Sequence, residues 1–220
     1  GNYQESIEVY ERAAYENQNH ASAVKAGYSA ILAYDKLARV DSISKLKVLS
    51  PELRSLRRSS IERFTKFFPG TNYTPSLLTE LANELFIEKQ YALAESTARR
   101  VVEAKSVDQT LMYSSWLVNA HSNFELEKYS QAEYAYQQLL ALNPKKDSVV
   151  LRERLAASIY KQAELEPETK LSAELYLKVV DVVPETSIAS QALFDASTEY
   201  FQDKNSELRE DIVDGHIIAI

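Results

Sequence analysis

Two stretches of the chain repeat the same order of large, small and polar positions. With 78–102 laid over 116–140, Leu78 falls on Trp116, Ala82 on Ala120, Lys89 on Glu127, Tyr91 on Tyr129, Ala94 on Ala132 and Ala98 on Tyr136, at a constant offset of 38 residues. Each stretch reads as a helix, a short polar turn and a second helix. The pattern predicts helices over 75–88 and 91–104 in the first unit and over 110–126 and 130–142 in the second, with Pro144 placed to stop the last. Small residues at Ala82, Ala94, Ala120 and Ala132 let paired helices approach. Leu78, Leu85, Trp116 and Tyr136 fill the space between successive pairs. One helical pair cannot bury its apolar face alone, so such units gain a continuous core by stacking.

Looser copies flank these two. A pair starts near His20, with Gly27 at the small position and Tyr28, Ile31 and Tyr34 around it. Its second helix is expected from Pro51, a good first-turn residue behind Ser50. That leaves 35–50 as an insertion or a lengthened first helix. Another pair is expected over 147–164 and 168–183, its turn lengthened by Leu165, Glu166 and Pro167. A further first helix is expected over 187–202, with Leu193, Ala196 and Tyr200 facing inward. The chain closes on Ile217, Ile218, Ala219 and Ile220 with no polar cap. Stacked repeats need such caps, so the ends are expected to lie inside a longer array.

The segment E-K-Y-S-Q-A-E-Y-A-Y-Q-Q-L-L-A-L-N-P over 127–144 resembles the tetratricopeptide repeat (TPR) family, whose unit is about 34 residues. Tyr129, Ala132, Tyr136 and Pro144 stand at that family's spacing, and Leu139 replaces its final alanine. Gly1, Asn2 and Tyr3 resemble the family's Gly-x-Tyr turn, with Ser6, Tyr10 and Ala13 following at second-helix spacing. The approximate units are then 1–19, 20–69, 75–106, 110–144, 147–184 and 187–220. The resemblance implies an all-α, right-handed TPR-like α-solenoid of stacked helix-turn-helix repeats. It also implies a non-catalytic scaffold whose concave groove, lined by first-helix residues, holds a partner protein or peptide. Carried over by position, the groove residues are Tyr28, Thr79, Asn83, Phe86, Leu117, His121 and Phe124. A narrower resemblance lies in Phe67, Phe68, Pro69, Gly70, Thr71, Asn72 and Tyr73. This run is similar to joints in TPR proteins of the Gram-negative cell envelope. It implies a periplasmic or outer-membrane-associated location, with the cytoplasm as the alternative. Three rival readings stand beside the scaffold. They are a self-assembly module pairing through its repeat edges, an accessory TPR domain of a larger enzyme, and a catalytic domain framed by a solenoid.

Composition narrows the picture. Only 4 glycines and 6 prolines among 220 residues leave little room for the turns of an all-β fold. The net charge of −7 argues against nucleic acid as a main partner, because phosphate binding needs a net basic surface. Arg54, Arg57, Arg58 and Arg63 form a local basic run, read as a solvated helix face in preference to an anion site. Cysteine is absent, which removes disulfides, thiol catalysis and cysteine-based zinc sites. No apolar run approaches the roughly 18 residues of a membrane span, so no membrane insertion by this segment is expected.

Candidate chemistry is sparse. His20, His121 and His216 are far apart and show no metal-ligand spacing. No phosphate loop and no G-x-S-x-G elbow occur. The acidic residues, Glu166 and Glu168 among them, read as solvation and helix pairing rather than as a catalytic pair. No cofactor, metal or catalytic residue is assigned. His121 reads either as a groove contact or as an exposed histidine. Tyr28, Phe86 and Phe124 read either as groove anchors or as core. Tyr134, Tyr136 and Tyr176, on second helices, read as core between repeats, and Glu103 as outer surface.

Overall fold

The computed structural model describes residues 2–16, 19–41, 50–142 and 148–213. These hold ten α-helices and no strand: α1 (Tyr3–Tyr15), α2 (Ala23–Asp41), α3 (Pro51–Phe67), α4 (Tyr73–Ile87), α5 (Tyr91–Val102), α6 (Gln109–Glu125), α7 (Tyr129–Leu142), α8 (Ser148–Leu165), α9 (Thr169–Val182) and α10 (Ser187–Val213). The protein is therefore all-α. Pro144 as a helix stop, 42–49 of the expected insertion, Gly1, His216 and the apolar 217–220 lie outside the described residues. Helices pack in chain order, each on the next, and α4 also packs on α6 and α8 on α10.

Local chemistry sets the boundaries. Ser50 caps α3 by accepting from Leu53 N–H, with Pro51 in the first turn. Asp108 caps α6 through Thr110 N–H, and this bond holds its carboxyl below the usual range. The joint after α3 is closed by hydroxyls, since Thr71 and Thr74 Oγ1 both donate to Phe68 O.

The turns after α4 and α6 are alike. Lys89 and Glu127 both adopt left-handed backbone, at φ 61° and 59°. The following N–H groups reach back to Leu85 and Asn123 carbonyls at 2.9 Å, which satisfies the helix ends. Glycine is the ordinary residue in this conformation, because a Cβ crowds the carbonyl there. Glu127→Gly and Lys89→Gly are each expected to stabilise the protein by about 0.5–1 kcal/mol. A rise in the urea midpoint at constant slope checks this.

Two cores result. One is centred on Ile31, Ile61, Phe64, Leu81 and Ala94, the other on Ala132, Tyr136, Leu139, Leu151, Ile159 and Val179. The alanines predicted at helix crossings, Ala82, Ala94, Ala120 and Ala132, are fully buried. Gly27 is required by packing, since a Cβ there would come within 2.9 Å of the Phe64 ring. Between α7 and α9, Glu133 is buried and accepts from Lys178 at 2.7 Å and from Gln162 at 2.9 Å.

Three expectations need correction. Arg57 does not lie on a solvated face. It is 1% exposed and meets Asp35 at 2.7 Å, Glu84 at 2.8 Å and Glu80 at 2.9 Å. Beside it Arg54 and Arg58 reach Glu88 at 2.6 and 2.7 Å. The four arginines were read along one helix, but their partners come from α1, α2, α4 and the Glu88 cap that ends α4. On α10, Ala196 is inward, yet Leu193 and Tyr200 are exposed. The buried line is Ala189, Ala192 and Ala196, small residues that let α10 sit close on α8 and α9. On α1, Tyr10 and Ala13 are exposed, Ile7 and Ala14 are buried against α2, and Tyr15 is buried on Phe67 and Phe68.

Candidate functional site

Of the first helices, α4 packs on α6, and α8 reaches α6 through Arg154, which lies over the Phe124 ring. On α4, Thr79 is buried, and its hydroxyl bonds Pro75 O at 2.8 Å and Ser115 Oγ at 2.9 Å. It ties α4 to α6 instead of facing a ligand. Asn83, one turn on, is exposed and donates to Thr79 O at 2.9 Å. Phe86 is half-buried, its ring 5.4 Å from Tyr91 and 6.0 Å from His121 across the α4–α6 boundary.

On α6, Leu117, His121 and Phe124 share one face. Leu117 and Phe124 pack partly on the second core. His121 is neither idle nor freely exposed. Its Nδ1 lies 2.6 Å from the Tyr136 hydroxyl. Burial, and then the Arg154 charge, hold the imidazole below its ordinary value. Burial pushes the Tyr136 hydroxyl well above its own. The phenol, the stronger acid of a neutral pair, donates to Nδ1. This leaves Nε2–H as a directed donor. Phe124 meets the Tyr129 ring at 5.3 Å and carries the Arg154 guanidinium at 5.7 Å, which joins α6 to α8.

The structure thus brings Asn83, Phe86, Leu117, His121 and Phe124 onto two adjacent helices, α4 and α6, with Arg154 of α8 beside Phe124. Tyr28 stands apart. It stacks on Tyr73 at 4.1 Å and packs on Phe64, in the first core.

A second feature lies on the other side of α6. A cleft of about 460 Å³ opens between α5, α6 and α7. Trp116 and Tyr134 form one wall, their rings edge to face at 5.8 Å. Tyr134, expected in the core, is 56% exposed here, while Tyr136 and Tyr176 are buried as expected. Asn119 and Asn123 line the cleft and are almost fully buried. Glu103, expected on the outer surface, is exposed at its rim. Sequence reasoning passed over this cleft, although the repeat alignment held a signal. Asn119 and Asn123 fall on Leu81 and Leu85 at the 38-residue offset, where apolar residues build the core.

Among the described residues no group of three or more His, Asp or Glu could hold a metal ion. None of the helices, over those residues, is long and apolar enough to cross a membrane. No protein-family model matches the chain, and no curated protein matches it.

Proposed function

We propose that this chain is a TPR-type solenoid section that holds a partner protein or peptide against the face built by α4, α6 and α8. The observation that carries the reading is the continuity of that face. Asn83, Phe86, His121 and Phe124 stand on successive first helices, linked by the Phe86–His121 and Phe124–Arg154 contacts. The Asn83 amide and the His121 Nε2–H can hydrogen-bond an extended backbone, and Phe86 supplies a half-buried apolar anchor. The matching turns at Lys89 and Glu127 support a repeated unit. The Phe67–Tyr73 joint supports a periplasmic or outer-membrane-associated setting, with the cytoplasm as the alternative, and the scaffold is read as non-catalytic.

Truncation tests this. Phe86→Ala is expected to weaken partner binding by about 2 kcal/mol or more, Asn83→Ala and His121→Ala by about 1 kcal/mol each. Glu174→Ala, on exposed α9 surface, leaves binding unchanged. Melting is measured on the same variants. Full binding by a folded Asn83→Ala/His121→Ala protein moves the site off this face.

Self-association is a second reading, favoured by the exposed Leu193, Phe194 and Phe201 on α10. A solution mass that rises with concentration, and falls back in Phe194→Ser, would select it.

A further inference from the structure

The α5–α6–α7 cleft departs from the packing rule that its neighbours obey. Leu81 and Leu85 on α4, and Leu155 and Ile159 on α8, are buried apolar residues at the positions equivalent to Asn119 and Asn123. The equivalence with α8 follows from the buried pairs Ala120/Ala156 and Ser122/Ser158. Placing two amides where leucine or isoleucine serves elsewhere forgoes apolar burial. Such a local conflict marks a site held for another use.

Ser130, Gln131 and Arg99 line the cleft beside Glu95 and Glu103, and the two buried asparagines spend their donors within it. Asn123 Nδ2 donates to Asn119 O at 3.0 Å and to Asn119 Oδ1 at 3.1 Å. Asn119 Nδ2 in turn donates to Glu95 Oε1 at 3.2 Å. Both amide nitrogens are therefore occupied, and no donor among the described residues reaches Asn123 Oδ1. Glu103 makes no ion pair among the described residues. Arg99 is the cation at the rim and lies 3.5 Å from Glu95 Oε2. Two carboxylates and one guanidinium leave the cleft with a negative balance. Trp116 and Tyr134 give it an aromatic wall.

The geometry points to a receptor pocket for an arginine side chain of a partner protein. The flat guanidinium stacks on an indole or phenol ring. Its fork of N–H donors meets Asn123 Oδ1 and the Glu95 and Glu103 carboxylates. Lysine, a point charge without the planar face, fits the same wall less well. This pocket lies on the face of α6 opposite His121 and Phe124, since Trp116, Asn119 and Asn123 share one side of the helix. It does not rest on the groove reading, and its test needs no groove partner.

Trp116 is the only tryptophan, so its fluorescence reports on the cleft alone. The probe is a blocked Gly-Arg-Gly tripeptide, compared with the same tripeptides carrying lysine or citrulline. A saturable change with the arginine peptide is expected in the millimolar range. The lysine peptide should bind several-fold more weakly, and citrulline, the neutral isostere, should give no saturable change. Asn123→Leu should abolish the response while melting no lower than the parent, because leucine restores the residue found on α4. No saturable change with arginine, an equal change with citrulline, or an undiminished response in folded Asn123→Leu would each overturn the proposal.

Discussion

Replacing Arg57 with methionine is expected to cost about 3–5 kcal/mol, toward the lower end of that range. Arg57 is buried among three carboxylates, Asp35, Glu80 and Glu84, from two other helices. Burial alone would pull its proton affinity down, but the three acids outweigh burial and hold it raised. Methionine fills most of the space and leaves the acids facing one another. Their side chains keep partial access to water, between 30% and 54% exposed, which limits the loss. Arg63→Ala is the control. That side chain pairs with Glu11 at 3.6 Å in a half-exposed setting, and its loss should stay under about 1 kcal/mol.

The Arg57 deficit should also depend on pH in a stated direction. Burial raises the Glu84 carboxyl above 4.5, and Arg57 partly offsets this. Without Arg57 the carboxyl rises further. A carboxyl raised in the folded state binds a proton that the unfolded chain has already released. Its contribution is fully present below pH 4.5 and is lost as pH rises through the folded value. Arg57→Met should therefore lag its parent less at pH 5 than at pH 8. Denaturant midpoints of both proteins at the two pH values check it.

Tyr136→Ala is expected to cost about 3–5 kcal/mol, since the ring is fully buried in the second core and its removal leaves a cavity. Tyr136→Phe separates packing from hydrogen bonding. It keeps the ring, removes the donor to His121 Nδ1 and should cost about 1 kcal/mol. The hydroxyl bonds the neutral imidazole, so its loss should move the His121 titration upward, toward 6.5. In the parent, the depressed value means stability present above pH 6.5 and lost as pH falls toward the folded value. The imidazole proton resonances of His121 in parent and Tyr136→Phe measure the shift.

The parts legible in the sequence are those fixed by neighbours along the chain. The 38-residue offset located α4 to α7 within two residues at each end, because caps, turns and small positions are local signals. Ser50 and Pro51 announced α3 in the same way. What periodicity did not reveal depends on which helices meet. The acids that bury Arg57 lie 22 to 27 residues away. Leu193 and Tyr200 outrank Ala189, Ala192 and Ala196 in apolar size, yet close approach to α8 and α9 selected the alanine line of α10. Among the groove residues, Thr79 turned inward because Ser115 offered its hydroxyl a partner. Tyr28 joined the first core because Tyr73 offered a stacking face. Tyr134 faced outward because α7 buries the opposite side, through Ala132, Tyr136 and Leu139.

The central claim is that the α4–α6–α8 face is where a partner sits. A photo-crosslinking residue placed at Asn83, and separately at Glu174 on α9, tests it in cells that produce the protein. The account predicts a covalent protein adduct from position 83, lost when Phe86→Ala is added, and none from position 174. An adduct from position 174 with none from position 83, in proteins that melt like the parent, would contradict it.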